Sequence, residues 1–460
     1  MDRPIRTQLA EDGFAVVRDR LAAPEVAYGV APRQAPAGPV EPWTEPDGVN
    51  EPPQDGRSVL SAKNILLICG TLNQTKAMMA IGNELADHNC YYTPFYCDGH
   101  LRRASERGQL DFTVLAGALR ERTVKFMYQA QLPIDDRGEA RDYDLVVTCT
   151  DLILQNNIEG KRIVLVQEGL TEREGLLYWL VRYLGVPRVF ANTAAFGLSD
   201  GYEVFCVASA GARELFRAKG VQQRKMIITG IPNFDNVSGY LNNAFPYRDF
   251  VLICTSNARE TFKYHNRMRF LRDAVKIAAG RPVIFKLHPA EAQERAAREI
   301  RSMASDAVIL ADGNTEHMIA NCTALVAQYS TVAFTAALLG KEVHSYIDPA
   351  FLRQTLPLQN DGTSAKNIAN VCRACFNSNP VDLAKVRARV EHRIDTPPPR
   401  AALHVMPQAS EQSLLYSAVQ GIYHALRPRR SHPSIDNVDQ QQSAVTEPSS
   451  PPRPVSPVHP

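Results

Sequence analysis

The stretch NILLICGTLNQTKAMMAIGNELADH, Asn64 to His88, decides the fold. NILLICG is a Leu-rich, β-branched run of strand length that closes in a small polar loop, and from Thr75 onward apolar residues recur at helical spacing. The unit expected is strand, loop, helix. It repeats outward through YYTPFYCDG, DLVVTCTDL (Asp144 to Leu152) and RIVLVQEGL (Arg162 to Leu170), the last followed by the helical GLLYWLVRYLGV. EVFCVASAG with the helix ARELFRAKGV, and then KMIITGIP (Lys225 to Pro232), complete the series. Apolar strands alternating with helices require a parallel sheet covered on both faces, because each crossover lays its helix back on the sheet.

After Pro232 the segment NFDNVSGYLNNAFPYRD is polar and turn-rich, so a domain boundary is expected between residues 235 and 248. The alternation restarts at FVLICTSNARE (Phe250 to Glu260). It runs on through PVIFKLHP (Pro282 to Pro289), AVILADG (Ala307 to Gly313), TALVAQYST (Thr323 to Thr331) and EVHSYID (Glu342 to Asp348). The fold class expected is α/β, with two Rossmann-like doubly wound domains facing across a cleft. The first covers 61–240 and the second 245–395. A helix is expected over 400–427, where SEQSLLYSAVQGIYHALR is amphipathic.

Composition frames these domains. The chain has 460 residues with 31 prolines against 26 glycines, and seven prolines fall between Pro32 and Pro53 and eight between Pro428 and Pro460. Residues 31–60 and 428–460 therefore read as a linker and a disordered tail. Residues 1–30 form an appendage in which LAEDGFAVVRDRLAAPEV resembles the opening of the phytanoyl-CoA dioxygenase family, without the iron-binding H-x-D…H set further along the chain. Lys plus Arg is 51 and Asp plus Glu is 49, for a net charge of +2. That balance gives no electrostatic case for nucleic acid or an anionic membrane as the main partner. No secretory signal and no membrane-length apolar run is visible, so a soluble, cytoplasmic protein is expected. Nine cysteines, an odd number, fit a reduced compartment. The lone C-x-x-C, Cys372 to Cys375, lacks the second pair that a zinc site wants.

In open α/β sheets ligands lie beyond the carboxyl ends of the strands, so the residues after each apolar run are the candidates. The first strand ends in Gly70 to Thr75, with neither a dinucleotide nor a P-loop pattern, and reads equally as a plain helix cap. RIVLV ends in Gln167, Glu168 and Gly169. Glu168 at the rim of a cleft would have its pKa raised toward the range of a general base, although an ordinary helix-capping acid accounts for it as well. FVLIC ends in Thr255, Ser256 and Asn257, hydroxyls and N–H groups suited to an anion. PVIFKLHP ends in Lys286, Leu287, His288 and Pro289, and Pro289 holds His288 extended, placed to reach a phosphate oxygen. TALVAQYST ends in Ser330 and Thr331 at the start of the next helix. Taken together, these three strand ends converge on an anion.

On the K-x-H-P strand end, the Y-S-T pair about forty residues later and the acidic-Gly motif of the first domain, the chain resembles the GT-B glycosyltransferases. It resembles in particular the bacterial sialyltransferases, the capsule Kdo transferases and the CDP-glycerol transferases. The resemblance covers roughly residues 62–350. It implies a cell-surface polysaccharide or glycan enzyme using a nucleotide-sugar donor, CMP-, CDP- or UDP-linked, with a glycan or small-molecule acceptor. His288, Ser330 and Thr331 would hold donor phosphate, with Thr255, Ser256, Asn257 and Lys286 nearby, and Glu168 would be the general base. Two positions depart from the pattern. Gln167 replaces an acid before Glu168, and Thr335 stands where relatives carry a ribose-binding Glu. Either Glu316 in NTEHMIANC holds the ribose or the donor site is weakened.

No cofactor and no metal is expected, since no D-x-D motif ends a strand. Two other readings stay open. A UDP-sugar 2-epimerase would draw on Asp98, His100 and Glu168, and a non-catalytic scaffold would use its proline-rich ends to dock partners.

Overall fold

The computed structural model of the protein describes residues 62–407 apart from Phe112, 172–173, Val186, 259–265, 377–379 and 392–399. The appendage of 1–30, the linker of 31–60, nearly all of the expected helix of 400–427 and the tail of 428–460 lie outside the described residues.

Two six-stranded sheets, parallel at every pairing, make up the core. The first contains β1 (Asn64–Cys69), β2 (Asn89–Pro94), β3 (Leu145–Thr148), β4 (Ile163–Val166), β5 (Val204–Val207) and β6 (Met226–Ile228), in the order β2-β1-β3-β4-β5-β6. The second contains β7 (Phe250–Cys254), β8 (Val283–Lys286), β9 (Val308–Leu310), β10 (Cys322–Ala327), β11 (Glu342–Ser345) and β12 (Leu403–Val405), in the order β12-β11-β10-β7-β8-β9. The eleven apolar runs read from the sequence are β1 to β11. Both orders reverse direction once, between β1 and β3 and between β10 and β7, and a doubly wound sheet opens a crevice at such a reversal.

The central strands, such as β4, β5 and β7, are continuous apolar runs because both faces are buried. In β1, Ile65, Leu67 and Cys69 enter one core with α1 (Leu72–Asn83), and Leu66 and Ile68 enter the other. α2 (Gly99–Glu106), α3 (Gly117–Gln129), α4 (Leu176–Leu184) and α5 (Ala210–Lys219) belong to the first half. In the second half α6 (Arg267–Ala278) and α7 (Gln293–Arg301) cover one face, while α8 (Thr315–Asn321), α9 (Val332–Leu338) and α10 (Pro349–Thr355) cover the other.

Among the described residues the last two helices, α11 (Ser364–Phe376) and α12 (Pro380–Glu391), return to the first sheet, although they fall within the 245–395 that the sequence assigns to the second domain. Ala365, Ile368, Ala369, Cys372 and Cys375 join the β1–β3–β4 core, so the C-x-x-C pair packs as apolar filling. Helical spacing shows that α11 buries a face but not which sheet receives it. The return is fixed by Asp235, whose buried carboxylate accepts from the Asn360 N–H at 2.9 Å and the Ser364 N–H at 2.6 Å. β12 was also unforeseen. Three residues, LHV, carry no readable period, and the strand exists through its pairing with β11.

Candidate active site

The first crevice is built on α1. Thr71 is its N-cap and forms a capping box with Gln74: the Gln74 N–H donates to Thr71 Oγ1 at 3.2 Å, and the Thr71 N–H donates to Gln74 Oε1 at 2.9 Å. Gly70 permits this, since a Cβ there would lie 1.8 Å from Gln74 Oε1. Each capping side chain still has a donor to give, and both reach Glu168, which follows β4, across the end of β3. Thr71 Oγ1 donates to Glu168 Oε1 at 3.1 Å, and Gln74 Nε2 donates to Glu168 Oε2 at 2.6 Å. Burial pushes the Glu168 carboxyl above the usual carboxylate range, partly offset by these two hydrogen bonds. Cys149, at the end of β3, lies close enough that the carboxylate helps raise its thiol. Glu168 is therefore a carboxylate held in a fixed orientation and made more basic than a solvated one.

Gln167 is buried and serves as a clamp. Its Nε2 donates to the Gly169 carbonyl at 2.9 Å and its Oε1 accepts from the Ala208 N–H at 2.9 Å. An ionised acid could accept but not donate, so an amide is the group that holds both the Gly169 loop and the loop after β5. The departure at this position is thus explained by local hydrogen bonding.

In the second crevice Ser330 and Thr331 follow β10 and open α9, both half-buried. Thr331 makes no side-chain cap hydrogen bond, while the Ala333 and Phe334 N–H groups donate to the Ser330 and Thr331 carbonyls. His288 follows β8. Its N–H donates to Thr255 Oγ1 at 3.2 Å, and its Nδ1 accepts from the Ala290 N–H at 3.1 Å. In the neutral ring the proton then sits on Nε2, which makes Nε2 the ring's donor atom. Beneath this loop Glu291 accepts from Thr255 Oγ1 at 2.5 Å and pairs with the buried Arg267, which also meets Glu299.

Thr255 and Ser256, expected to touch an anion, use their hydroxyls in placing the two loops. Thr255 binds the His288 loop, and Ser256 Oγ donates to Gln328 Oε1 at the end of β10. Lys286 is likewise engaged with the protein. Its buried ammonium donates to the Leu287 carbonyl at 3.0 Å and the Ala311 carbonyl at 2.7 Å, and burial lowers its pKa, opposed by Cys254, Asp312 and Glu316. The physical reason is position: β8 lies between β7 and β9, and a lysine ending an interior strand finds backbone carbonyls before it finds a ligand. Glu316 is half-buried in the first turn of α8 and acts electrostatically on Lys286. Asn257 is half-buried at the edge of 259–265. Thr335 is buried within α9.

The two crevices meet. A Cβ on Gly169 would lie 2.8 Å from Thr331 Cγ2, and Tyr329 Oη donates to the Thr171 carbonyl at 2.8 Å. Leu170 and Ala208 of the first half pack into the core of the second. Asp98 accepts from Arg137 at 2.7 Å and from the Asn156 N–H at 2.8 Å, and His100 beside it is exposed.

Thr71, Gln74, Gln328, Tyr329 and Glu291 emerge only from the structure as partners of the candidates. The T-x-x-Q spacing of Thr71 and Gln74 is a capping-box signal. The other three lie beside a motif and carry none.

No protein-family model and no curated protein matches the chain. Among solved structures it is similar to the UDP-GlcNAc 2-epimerase from Neisseria meningitidis bound to UDP-GlcNAc, at 13% identity over 67% of this chain and 99% of that one, TM-score 0.43. A putative UDP-N-acetylglucosamine 2-epimerase from Listeria monocytogenes matches at 12% identity over 70% and 98%, TM-score 0.44. The wall teichoic acid polymerase TagF matches at 11% over 79% and 89%, TM-score 0.38. These are remote likenesses, and the residue roles rest on this chain's own geometry. Among the described residues no helix is long and apolar enough to cross a membrane.

Proposed function

We propose that the chain is a nucleotide-sugar-dependent glycosyltransferase. Glu168 takes the proton of the acceptor hydroxyl as its oxygen attacks the sugar carbon and the bond to the donor phosphate breaks. The charge arriving on the leaving phosphate is met by the Nε2–H of His288 and the hydroxyls of Ser330 and Thr331. The observation that supports this most is the contact of Gly169 with Thr331, which sets the residue after the carboxylate against the hydroxyl pair. Thr255, Ser256 and Gln328 hold the His288 and Ser330 loops in one register, and Lys286 stiffens the β8 end. The test is Glu168→Gln. Turnover with a nucleotide-sugar and acceptor should be lost while nucleotide binding stays within twofold of wild type, and retained turnover dismisses this base.

The same carboxylate and phosphate-facing loops serve a second reading, a UDP-sugar 2-epimerase that eliminates and re-adds the nucleotide. The raised pKa of Glu168 suits that proton transfer as well, whereas Asp98, one of the further groups it would draw on, is committed to Arg137 and Asn156. Product analysis without an acceptor separates the two, since only the epimerase turns over.

A further inference from the structure

The outer strands of the second sheet carry a group that the proposed reaction does not use. β11 and β12 alternate in the ordinary way. Val343 and Leu403 face the core shared with α9, while Glu342, His344 and His404 face the other side, level with Ala324 and Val326 of β10. Glu342 and His344 are two residues apart on one strand, and His404 is the register partner of His344 on the next. A parallel pairing sets all three side chains in one patch. Glu342 Oε1 lies 2.7 Å from His344 Nε2, and the His344 and His404 rings stack with centroids 4.6 Å apart at 15°. The ligand atoms of the three all fall within 4.8 Å of one another.

We propose that Glu342, His344 and His404 bind a divalent transition-metal ion of the zinc class, and that the ion pins β12 to β11. Two imidazoles and a carboxylate are the donor set that zinc, cobalt and nickel prefer over magnesium or calcium. Bond lengths near 2.0–2.2 Å place tetrahedral ligand atoms roughly 3.4 Å apart, and an imidazole binds a metal in its own ring plane, so closing from 4.8 Å takes a shift of about an ångström together with a turn of the His404 ring out of its stack on His344. The exposed His404 side chain has room for it. Arg281 holds the second carboxylate oxygen at 3.2 Å and fixes Glu342, while Oε1, which meets His344 Nε2 at 2.7 Å, would exchange that hydrogen bond for the ion. Three protein ligands leave a position to water. The site lies on the sheet face rather than at the strand ends, so it stands apart from the proposed transfer reaction. Its structural purpose follows from β12 itself, a three-residue edge strand tied on by the Val343 N–H to the Ala402 carbonyl at 2.8 Å and the Met406 N–H to the Ser345 carbonyl at 2.7 Å.

The full chain is titrated with Zn²⁺ by calorimetry, and with Co²⁺ for its visible spectrum. Hydrogen exchange over residues 402–406 is followed in parallel. Wild type should bind one ion at this site, show Co²⁺ bands of nitrogen–oxygen ligation, and gain protection in β12. His404→Ala should weaken binding beyond the roughly 10–100-fold that loss of a supporting partner costs. Because His404→Ala could loosen β12 by itself, Glu342→Gln on the neighbouring strand must lose the same site and the same gain in protection. Equal uptake by wild type and both variants, or binding with no change in β12 protection, overturns the proposal.

Discussion

At the strand-order reversal of the first sheet, β1 and β3 lead into Thr71 and Cys149, and the crevice holds a half-buried carboxylate oriented by a threonine and an amide. At the reversal of the second, β7 and β10 lead into Thr255 and Gln328, and the crevice is edged by hydroxyls and by the imidazole that follows the next strand. Both sheets are parallel with a single reversal, though the strand orders differ, and the side chains at the two reversals differ in kind: in the proposed reaction the first crevice would accept a proton and the second would face negative charge. The difference arises from what each loop does with its capping groups. In the first, Thr71 and Gln74 satisfy the helix and still have donors left for Glu168. In the second, Thr255 and Ser256 spend their donors on neighbouring loops, and Thr331 stands against Gly169 of the other half.

The largest expected effect comes from removing the proton acceptor. Glu168→Gln keeps the volume and should lower kcat by roughly 10²–10⁴, the usual contribution of general acid–base catalysis. Next is the contact itself. Gly169→Ala puts a methyl 2.8 Å from Thr331 Cγ2 and should cost about 1–3 kcal/mol as overpacking between the crevices, read as a fall in kcat/KM and in Tm. Thr331→Ser removes that Cγ2, so adding it should restore most of the loss. A double mutant no better than Gly169→Ala alone breaks the proposed contact. Gln167→Glu turns a donor to the Gly169 carbonyl into an acceptor, and should lower stability by about 1–3 kcal/mol by leaving buried groups unpaired.

The smallest effect is on pH dependence. Burial raises the pKa of Glu168, so the acidic limb of kcat/KM should lie above the ordinary glutamate range. The sign for stability is the reverse of a salt-bridged carboxylate. With the folded pKa above the unfolded one, the folded state binds the extra proton, and this contribution is present below the unfolded pKa and lost as pH rises through the folded one. The difference in Tm between wild type and Glu168→Gln should therefore move in favour of wild type as pH falls. A difference independent of pH would remove Glu168 from its buried setting.

Much of this was legible in the sequence because strand ends carry it. Eleven runs became eleven strands: β4, β5 and β7 are apolar throughout because both faces are buried, while β11 alternates, with Glu342 and His344 on one face. Glu168, His288, Ser330 and Thr331 stand directly after such runs. What was hidden depends on pairing across long separations. Lys286 has the same sequence signal as His288 two residues on, yet its ammonium caps the Ala311 carbonyl beside β9, which only the strand order brings near. The return of α11 to the first sheet and the pairing of His344 with His404 are likewise set by tertiary contact, at positions where local periodicity says nothing.

The division of labour between the two crevices is tested most directly by calorimetric titration of wild type, Glu168→Gln and His288→Ala with CMP, CDP and UDP. At least one nucleotide should bind wild type and Glu168→Gln alike, and His288→Ala should bind it about 10–100-fold more weakly, the worth of a hydrogen bond to a charged group. Binding by His288→Ala as tight as wild type, or no binding of any of the three to wild type, would contradict the assignment.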